Sequence, residues 1–69
     1  MTVTATIKQY FPLRGFGFAK CDDGAPDFFV HVNDADKDFL HIGDRIECEV
    51  KAGERGPIGK NIRVTSFAS

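Results

Sequence analysis

The sequence has little that would direct it to a membrane, a metal or a disulfide framework. No apolar run approaches the length needed to cross a bilayer. The first residues carry neither a basic segment nor an apolar core, so we expect no export and a cytoplasmic location. The only two cysteines, Cys21 and Cys48, are not in a CxxC arrangement. We therefore expect reduced thiols, with Cys48 in the core, in preference to a disulfide or a metal site.

The familiar catalytic arrangements are also missing. A chain of 69 residues allows one domain, 1–69, whose modest core would have to share its side chains with any catalytic pocket. The glycines of 14–18 lack the third glycine and the Lys-Ser/Thr pair of a phosphate-binding loop. Neither His31 nor His41 has thiols or carboxylates at a metal-binding spacing, and no nucleophile stands beside a base. We predict a protein that is not an enzyme and uses no cofactor or metal.

Helical periodicity is absent as well. Short alternating segments are separated by Gly, Pro and Asp, which predicts an all-β meander. The five predicted strands are residues 3–11, 16–21, 27–32, 45–51 and 60–67. A longer connection, 33–44, contains one predicted helical turn near Asn33. Five short strands with one long link fit a five-stranded barrel, closed or partly open.

Two connections carry further predictions. The apolar side chains of the long connection, Phe39, Leu40 and Ile42, are expected to plug one end of the barrel. The segment 52–59 holds three glycines and a proline. We predict that it forms a flexible loop.

Charge of one sign is in short supply, because nine basic and ten acidic residues leave a net charge of −1. This balance argues against a protein that holds nucleic acid through phosphate contacts alone. The distribution is uneven, however, since the first twenty residues contain Lys8, Arg14 and Lys20 and no acid. A ligand meets the local field and not the net charge. The net charge therefore does not exclude an anionic partner.

Phenylalanine is abundant by contrast, with seven in the chain. Side chains alternate along a strand, so Phe16 and Phe18 share one face of the second strand. The small Gly17 and Ala19 share the other face and suit a tight barrel interior. Taken alone, this strand favours outward rings no more than an ordinary core in which both rings point inward.

The third strand separates these two alternatives. Phe29 and His31 share one face, and Phe28 and Val30 share the other. His31 prefers water, and a buried histidine would need hydrogen-bond partners that the sequence does not offer. Consistent placement therefore puts four side chains on the outside together: Phe16, Phe18, Phe29 and His31. A monomer does not normally keep such a contiguous apolar patch without a use.

Exposed rings edged by basic residues match what a single-stranded nucleic acid offers. Unpaired bases stack on aromatic rings, and each stacked base contributes about 1–3 kcal/mol. Stacking can therefore carry binding where net charge does not. The alternative is a protein-interaction module that uses the same face, with weakened nucleic-acid affinity.

The motifs together resemble the bacterial cold-shock domain family. Its two ribonucleoprotein-type motifs are similar to Arg-Gly-Phe-Gly-Phe at 14–18 and Phe-Phe-Val-His at 28–31, and the likeness continues through Asp-Asp-Gly at 22–24 and Arg-Gly-Pro at 55–57. The resemblance covers essentially the whole chain. It implies an all-β, five-stranded antiparallel barrel of the OB-fold type that binds single-stranded RNA or DNA, as an RNA chaperone or regulator of gene expression. We expect a monomer, with a strand-swapped dimer as the alternative.

The predicted contacts combine residues placed by strand alternation with residues that match the family's contact positions. They are Lys8, Tyr10, Phe11, Arg14, Phe16, Phe18, Lys20, Phe29, His31, Phe39 and Arg55. Gln9 stands where the family usually has tryptophan, although Phe11 is nearby, and Val32 replaces a usual aromatic. Losing one or two stacking rings lowers affinity by about tenfold or more. These departures favour the protein-interaction alternative.

A second pair of departures concerns the core. The family commonly has a larger aliphatic residue at Ala19 and a smaller one at Phe28. We hypothesise that Phe28 fills the volume that Ala19 leaves on the neighbouring strand, because cores tolerate exchanges that conserve total volume.

Overall fold

The structure, a computed structural model, describes residues 2–36, 40–54 and 56–66. Its strands are β1 (Thr2–Phe11), β2 (Phe16–Cys21), β3 (Phe28–His31), β4 (Arg45–Gly53) and β5 (Gly56–Ser66). The helical turn predicted near Asn33 is present as a 3-10 turn at Val32–Asp34. The all-β prediction is confirmed.

The five strands close into a barrel in the order β1-β2-β3-β5-β4, with β4 paired back to β1. Closure removes the free sheet edges that so small a sheet would otherwise expose. Every strand pair is antiparallel except β3 with β5, which run parallel where Phe29 lies opposite Ile58. The antiparallel prediction is wrong at this seam. The long connection after β3 lets β4 pair with β1, so β5 enters beside β3 in the same direction.

The β4–β5 connection is a tight hairpin, and the predicted flexible loop at 52–59 is wrong. β4 continues to Gly53, which pairs with Gly56 at the start of β5. A Cβ atom at Gly53 would lie 2.3 Å from Cδ1 of Ile58, and Gly56 has a φ of 131°. These glycines therefore allow close packing and a left-handed backbone within the hairpin.

The core consists of inward-facing side chains from all five strands and one connection. They are Ala5, Ile7, Ala19, Cys21, Phe28, Val30, Leu40, Ile46, Cys48 and Ile62. Leu40 plugs the barrel as predicted, but Ile42 is 62% exposed and does not. The turn that contains Ile42 is fixed by a hydrogen bond that the Gly43 N–H donates to the Ile7 carbonyl. The next residue, Asp44, is buried. Phe39 lies outside the described residues.

The ring of Phe28 fills space beside two small residues. Phe28 lies opposite Ala19 on β2, and both are fully buried. A Cβ atom at Gly59 would lie 2.8 Å from Cε2 of the Phe28 ring. The ring therefore occupies volume that larger side chains at Ala19 and Gly59 would need, which supports the hypothesis of compensating volumes.

Both cysteines are free and buried, and the predicted place of Cys48 in the core is confirmed. Burial raises the pKa of the Cys48 thiol to about 11, with a smaller contribution from Cys21. The pKa of the Cys21 thiol is also raised, mainly by burial and secondly by the negative charge of Asp23. Both thiols therefore stay protonated at neutral pH and act as small core side chains.

Candidate nucleic-acid interface

The register of β2 and β3 brings four of the predicted contact residues together. Phe16 lies opposite His31, and Phe18 lies opposite Phe29. All four are half-buried, whereas the residues that alternate with them along both strands are buried. The predicted outward orientation of these rings is confirmed.

The rings contact one another in a continuous row. Centroid distances are 5.3 Å between Phe16 and Phe29, 6.0 Å between Phe18 and Phe29, and 6.4 Å between Phe29 and His31. Phe29 therefore lies at the centre of the row. Such aromatic pairs contribute about 0.5–1.5 kcal/mol each beyond area burial. Mutual contact holds the rings in place, so a ligand need not order them on binding.

The glycine between the two rings of β2 is required by strand packing. A Cβ atom at Gly17 would lie 2.1 Å from the carbonyl oxygen of Gln9 and 2.9 Å from the Cα of Tyr10. Because both contacts are to the backbone of β1, no side chain fits at this position. The Phe-Gly-Phe pattern thus combines a requirement of the β1–β2 interface with two outward rings.

A bulge in β1 decides which of its side chains join the row. The register against β2 shifts between Ile7 and Gln9, which reverses the alternation for the rest of the strand. Phe11 consequently lies opposite Phe16 on the outer face, 42% exposed, with the two ring centroids 5.2 Å apart. Gln9 is on the same face. Tyr10 lies opposite Gly17 and packs against the core, so the structure does not bring it to the row.

These outward side chains together form what we call the ring face. It consists of Phe11, Phe16, Phe18, Phe29 and His31. Nδ1 of His31 accepts a hydrogen bond from the backbone N–H of Asn33 at 3.1 Å, which orients the imidazole at the start of the 3-10 turn. In the neutral ring this leaves Nε2 as the donor.

The basic side chains differ in how they are engaged. The Lys8 ammonium lies 2.7 Å from Oδ2 of Asp27, and both side chains are largely exposed. Within the described residues, Arg14 and Lys20 form no ion pair and are exposed. Two of the predicted cations are therefore free to meet an anion. Arg55, like Phe39, lies outside the described residues.

An open groove of about 810 Å³ runs along the ring face. Its lining residues are Arg14, Phe16, Phe18, Asp27, Phe29, Glu54, Gly56, Pro57 and Ile58. Apart from the contact predicted for Arg55, the wall of the groove formed by the β4–β5 hairpin was not predicted from the sequence. The parallel pairing of Ile58 with Phe29 brings this hairpin to the rings, and no local pattern indicates that pairing.

The rest of the described chain offers little other chemistry. No group of three His, Cys, Asp or Glu side chains that could hold a metal ion is found in residues 2–36, 40–54 and 56–66. No helix in this part of the chain is long and apolar enough to span a membrane.

Comparison with known proteins identifies relatives over nearly the whole chain. The family model of the 'Cold-shock' DNA-binding domain matches residues 3–65. The major cold shock protein CspA of Bacillus cereus is 37% identical over 65 residues, which cover 90% of this chain and 96% of that protein. A cold shock-like protein of Aquifex aeolicus is 33% identical over 67 residues, which cover 93% and 96% of the two chains.

A solved structure shows the same fold. Drosophila Unr CSD456 matches all of this chain with a TM-score of 0.78 and 22% sequence identity. The match covers 29% of that chain, so the present chain spans less than a third of it.

Proposed function

The chain belongs to the cold-shock domain family, and from this premise we propose that it binds single-stranded RNA or DNA by stacking bases on the ring face. The observation that carries the proposal is the continuous row of half-exposed rings, in which Phe29 contacts Phe16, Phe18 and His31. Unpaired bases present flat aromatic surfaces to such rings, whereas base pairs within a duplex stack on each other.

Stacking energies are large enough for this proposal. Three bases stacked on Phe16, Phe18 and Phe29 would contribute about 3–9 kcal/mol, and a micromolar complex needs about 8 kcal/mol. Phe11 adds a ring beside Phe16, which compensates for Gln9 in the position where the family usually has tryptophan. The ring face can therefore support useful affinity with few ion pairs.

Phosphate contacts take a secondary part in the proposal. Arg14 and Lys20 are free to meet phosphates, whereas Lys8 must first leave Asp27. Each neutralised phosphate adds about −0.7 to the slope of log affinity against log salt. With Arg55 included, four predicted cations give a slope no steeper than about −3.

We propose an RNA chaperone or gene-expression regulator as the cellular role, performed by a monomer in the cytoplasm without catalysis. A protein that binds only the unpaired state shifts the equilibrium toward that state by mass action. Weak RNA structure would melt in its presence for this reason, with no energy source other than binding.

A second candidate is a protein-interaction module that uses the same face. The observation that favours it is the turn after β1, where Leu13 is fully exposed and Phe11 is 42% exposed. A partner protein could cover both side chains together with the rings.

The two candidates are separated by amide-shift titration of the isotope-labelled domain. The ligands are oligothymidine and oligouridine of about seven nucleotides, and a duplex of matched length is the control. We expect shifts concentrated on β2 and β3 with the single strands, weakened by salt, and little change with the duplex. Absence of shifts with both single strands would exclude the first candidate and leave the second.

A further inference from the structure

The groove contains one carboxylate that nothing in the described chain neutralises. Of the residues that the structure describes, three charged ones line it: Arg14, Asp27 and Glu54. Oδ2 of Asp27 accepts from the Lys8 ammonium at 2.7 Å. Within residues 2–36, 40–54 and 56–66, Glu54 has neither a hydrogen bond nor an ion pair, and it is exposed. Its carboxylate oxygens are therefore free to accept from a ligand.

The position of Glu54 beside the rings is fixed by the hairpin. It follows Gly53 at the end of β4, and Gly53 pairs with Gly56. Two residues further on, Ile58 of β5 lies opposite Phe29, the centre of the ring face. Because Gly53 packs against Ile58 and pairs with Gly56, the hairpin keeps the backbone of Glu54 at the rim of the groove without the freedom of a long loop.

A free carboxylate at this rim disfavours one part of a nucleic acid and favours another. It repels phosphates, so a bound strand should turn a base, and not a phosphate, toward the Glu54 carboxylate. A base stacked on a ring instead presents its Watson–Crick edge at the rim, and proteins read unpaired bases on that edge.

Only one common base has an edge that matches two carboxylate oxygens. Guanine presents N1–H and the N2 amino group side by side, so it can donate two parallel hydrogen bonds to one carboxylate. Adenine and cytosine place a ring-nitrogen acceptor next to their amino donor. Uracil and thymine place N3–H between two carbonyl acceptors. In each of these bases an acceptor faces the second carboxylate oxygen.

We propose that Glu54 selects guanine at the base position next to the β4–β5 hairpin. This inference rests on the proposed function, because it requires bases to stack on the ring face. It assigns base preference to a residue of the hairpin and not to the rings, which stack on any base.

The test compares oligothymidines of about seven nucleotides that carry a single guanine at each position in turn, with plain oligothymidine as the reference. Inosine replaces guanine in a second series, because it keeps N1–H and lacks the N2 amino group. Each oligonucleotide is titrated with the natural protein, with Glu54→Gln and with Glu47→Gln. Glu47→Gln is the control because it removes the same charge from β4. Glu47 pairs with Arg63, away from the groove.

We expect the oligonucleotide with the best-placed guanine to bind at least about fivefold more tightly than plain oligothymidine, since a good bidentate pair discriminates by at least that factor. Inosine should lose most of this gain, Glu54→Gln should abolish it, and Glu47→Gln should keep it. Equal affinity for all oligonucleotides, or a guanine preference that survives Glu54→Gln, would overturn the inference while the proposed function stands. Failure of every oligonucleotide to bind would overturn both.

Discussion

The side chains on two outer faces of the same barrel make different kinds of contact. On β4 and β5, Glu47 lies 3.4 Å from Arg63, and the Asn61 amide donates to Glu49. We call these four residues the charged face. The rings of the ring face, in contrast, contact one another and stay partly exposed to water. A charged face whose groups already have partners gains little from a ligand, whereas the ring face gains from any flat apolar surface that covers it.

The interior does not account for this difference. Both faces belong to strands that turn alternate residues into one core, including Phe28 on β3 and Cys48 on β4. The contrast therefore resides in a few outward positions, which makes it accessible to single substitutions.

The largest effect should come from the shared interior. Phe28→Val removes a fully buried ring that packs against Gly59 and should lower the free energy of unfolding by about 2 kcal/mol or more. Adding Ala19→Ile should recover part of this loss, because the two residues are opposite each other and exchange volume. Urea denaturation of the two single variants and the double variant measures both effects. A more stable Phe28→Val protein would contradict this account of the core.

A substitution at the centre of the ring face should lower nucleic-acid affinity more than it lowers stability. Phe29→Leu keeps an apolar side chain but removes the stacking surface, so affinity for oligothymidine should fall about fivefold to a hundredfold. Fluorescence anisotropy of a labelled oligonucleotide measures the change, since the chain has no tryptophan. Arg63→Gln on the charged face is the control and should change affinity by less than about twofold. Equal losses in both variants would remove the distinction between the faces.

Salt dependence should also distinguish the two faces. Arg14 lines the groove, so Arg14→Gln should make the slope of log affinity against log salt shallower by about 0.7. Arg63→Gln should leave the slope unchanged, although it removes the same charge. The same anisotropy titration, repeated over a series of salt concentrations, provides both slopes. A shallower slope for Arg63→Gln alone would place the phosphates on the charged face.

The smallest effect is expected for the ion pair of the charged face. The side chains of Glu47 and Arg63 are 36% and 70% exposed, so their coupling should contribute less than about 1 kcal/mol to stability. A double-mutant cycle of Glu47→Gln and Arg63→Gln in urea measures this coupling. A substantially larger coupling would mean that the charged face helps to hold the barrel together.

Strand alternation predicted most of the ring face but not its borders. The period of two placed Phe16, Phe18 and Phe29 correctly, because β2 and β3 pair without interruption. The same rule does not place Tyr10, because the bulge after Ile7 turns Tyr10 inward. A bulge depends on pairing with a distant strand, so the sequence of β1 alone does not indicate it.

Long-range pairing also explains the other differences. Gly53 and Gly56 are typical of a loop when the local sequence is considered, yet they permit a packed hairpin that forms one wall of the groove. The parallel seam between Phe29 and Ile58 joins residues far apart in the chain, and it brings Glu54 to the rings. Ile42 was expected inside because it is apolar, but the turn before β4 leaves it exposed.

The most direct test of the central claim follows individual phenylalanine rings during binding. The protein is labelled selectively on its phenylalanine rings, and their signals are recorded by NMR as oligothymidine is added. Stacked bases should shift the rings of Phe16, Phe18 and Phe29 strongly and Phe11 to a lesser extent. The buried ring of Phe28 should barely move, as the internal control. Binding that leaves the three outer rings unshifted would contradict the claim that bases stack on the ring face.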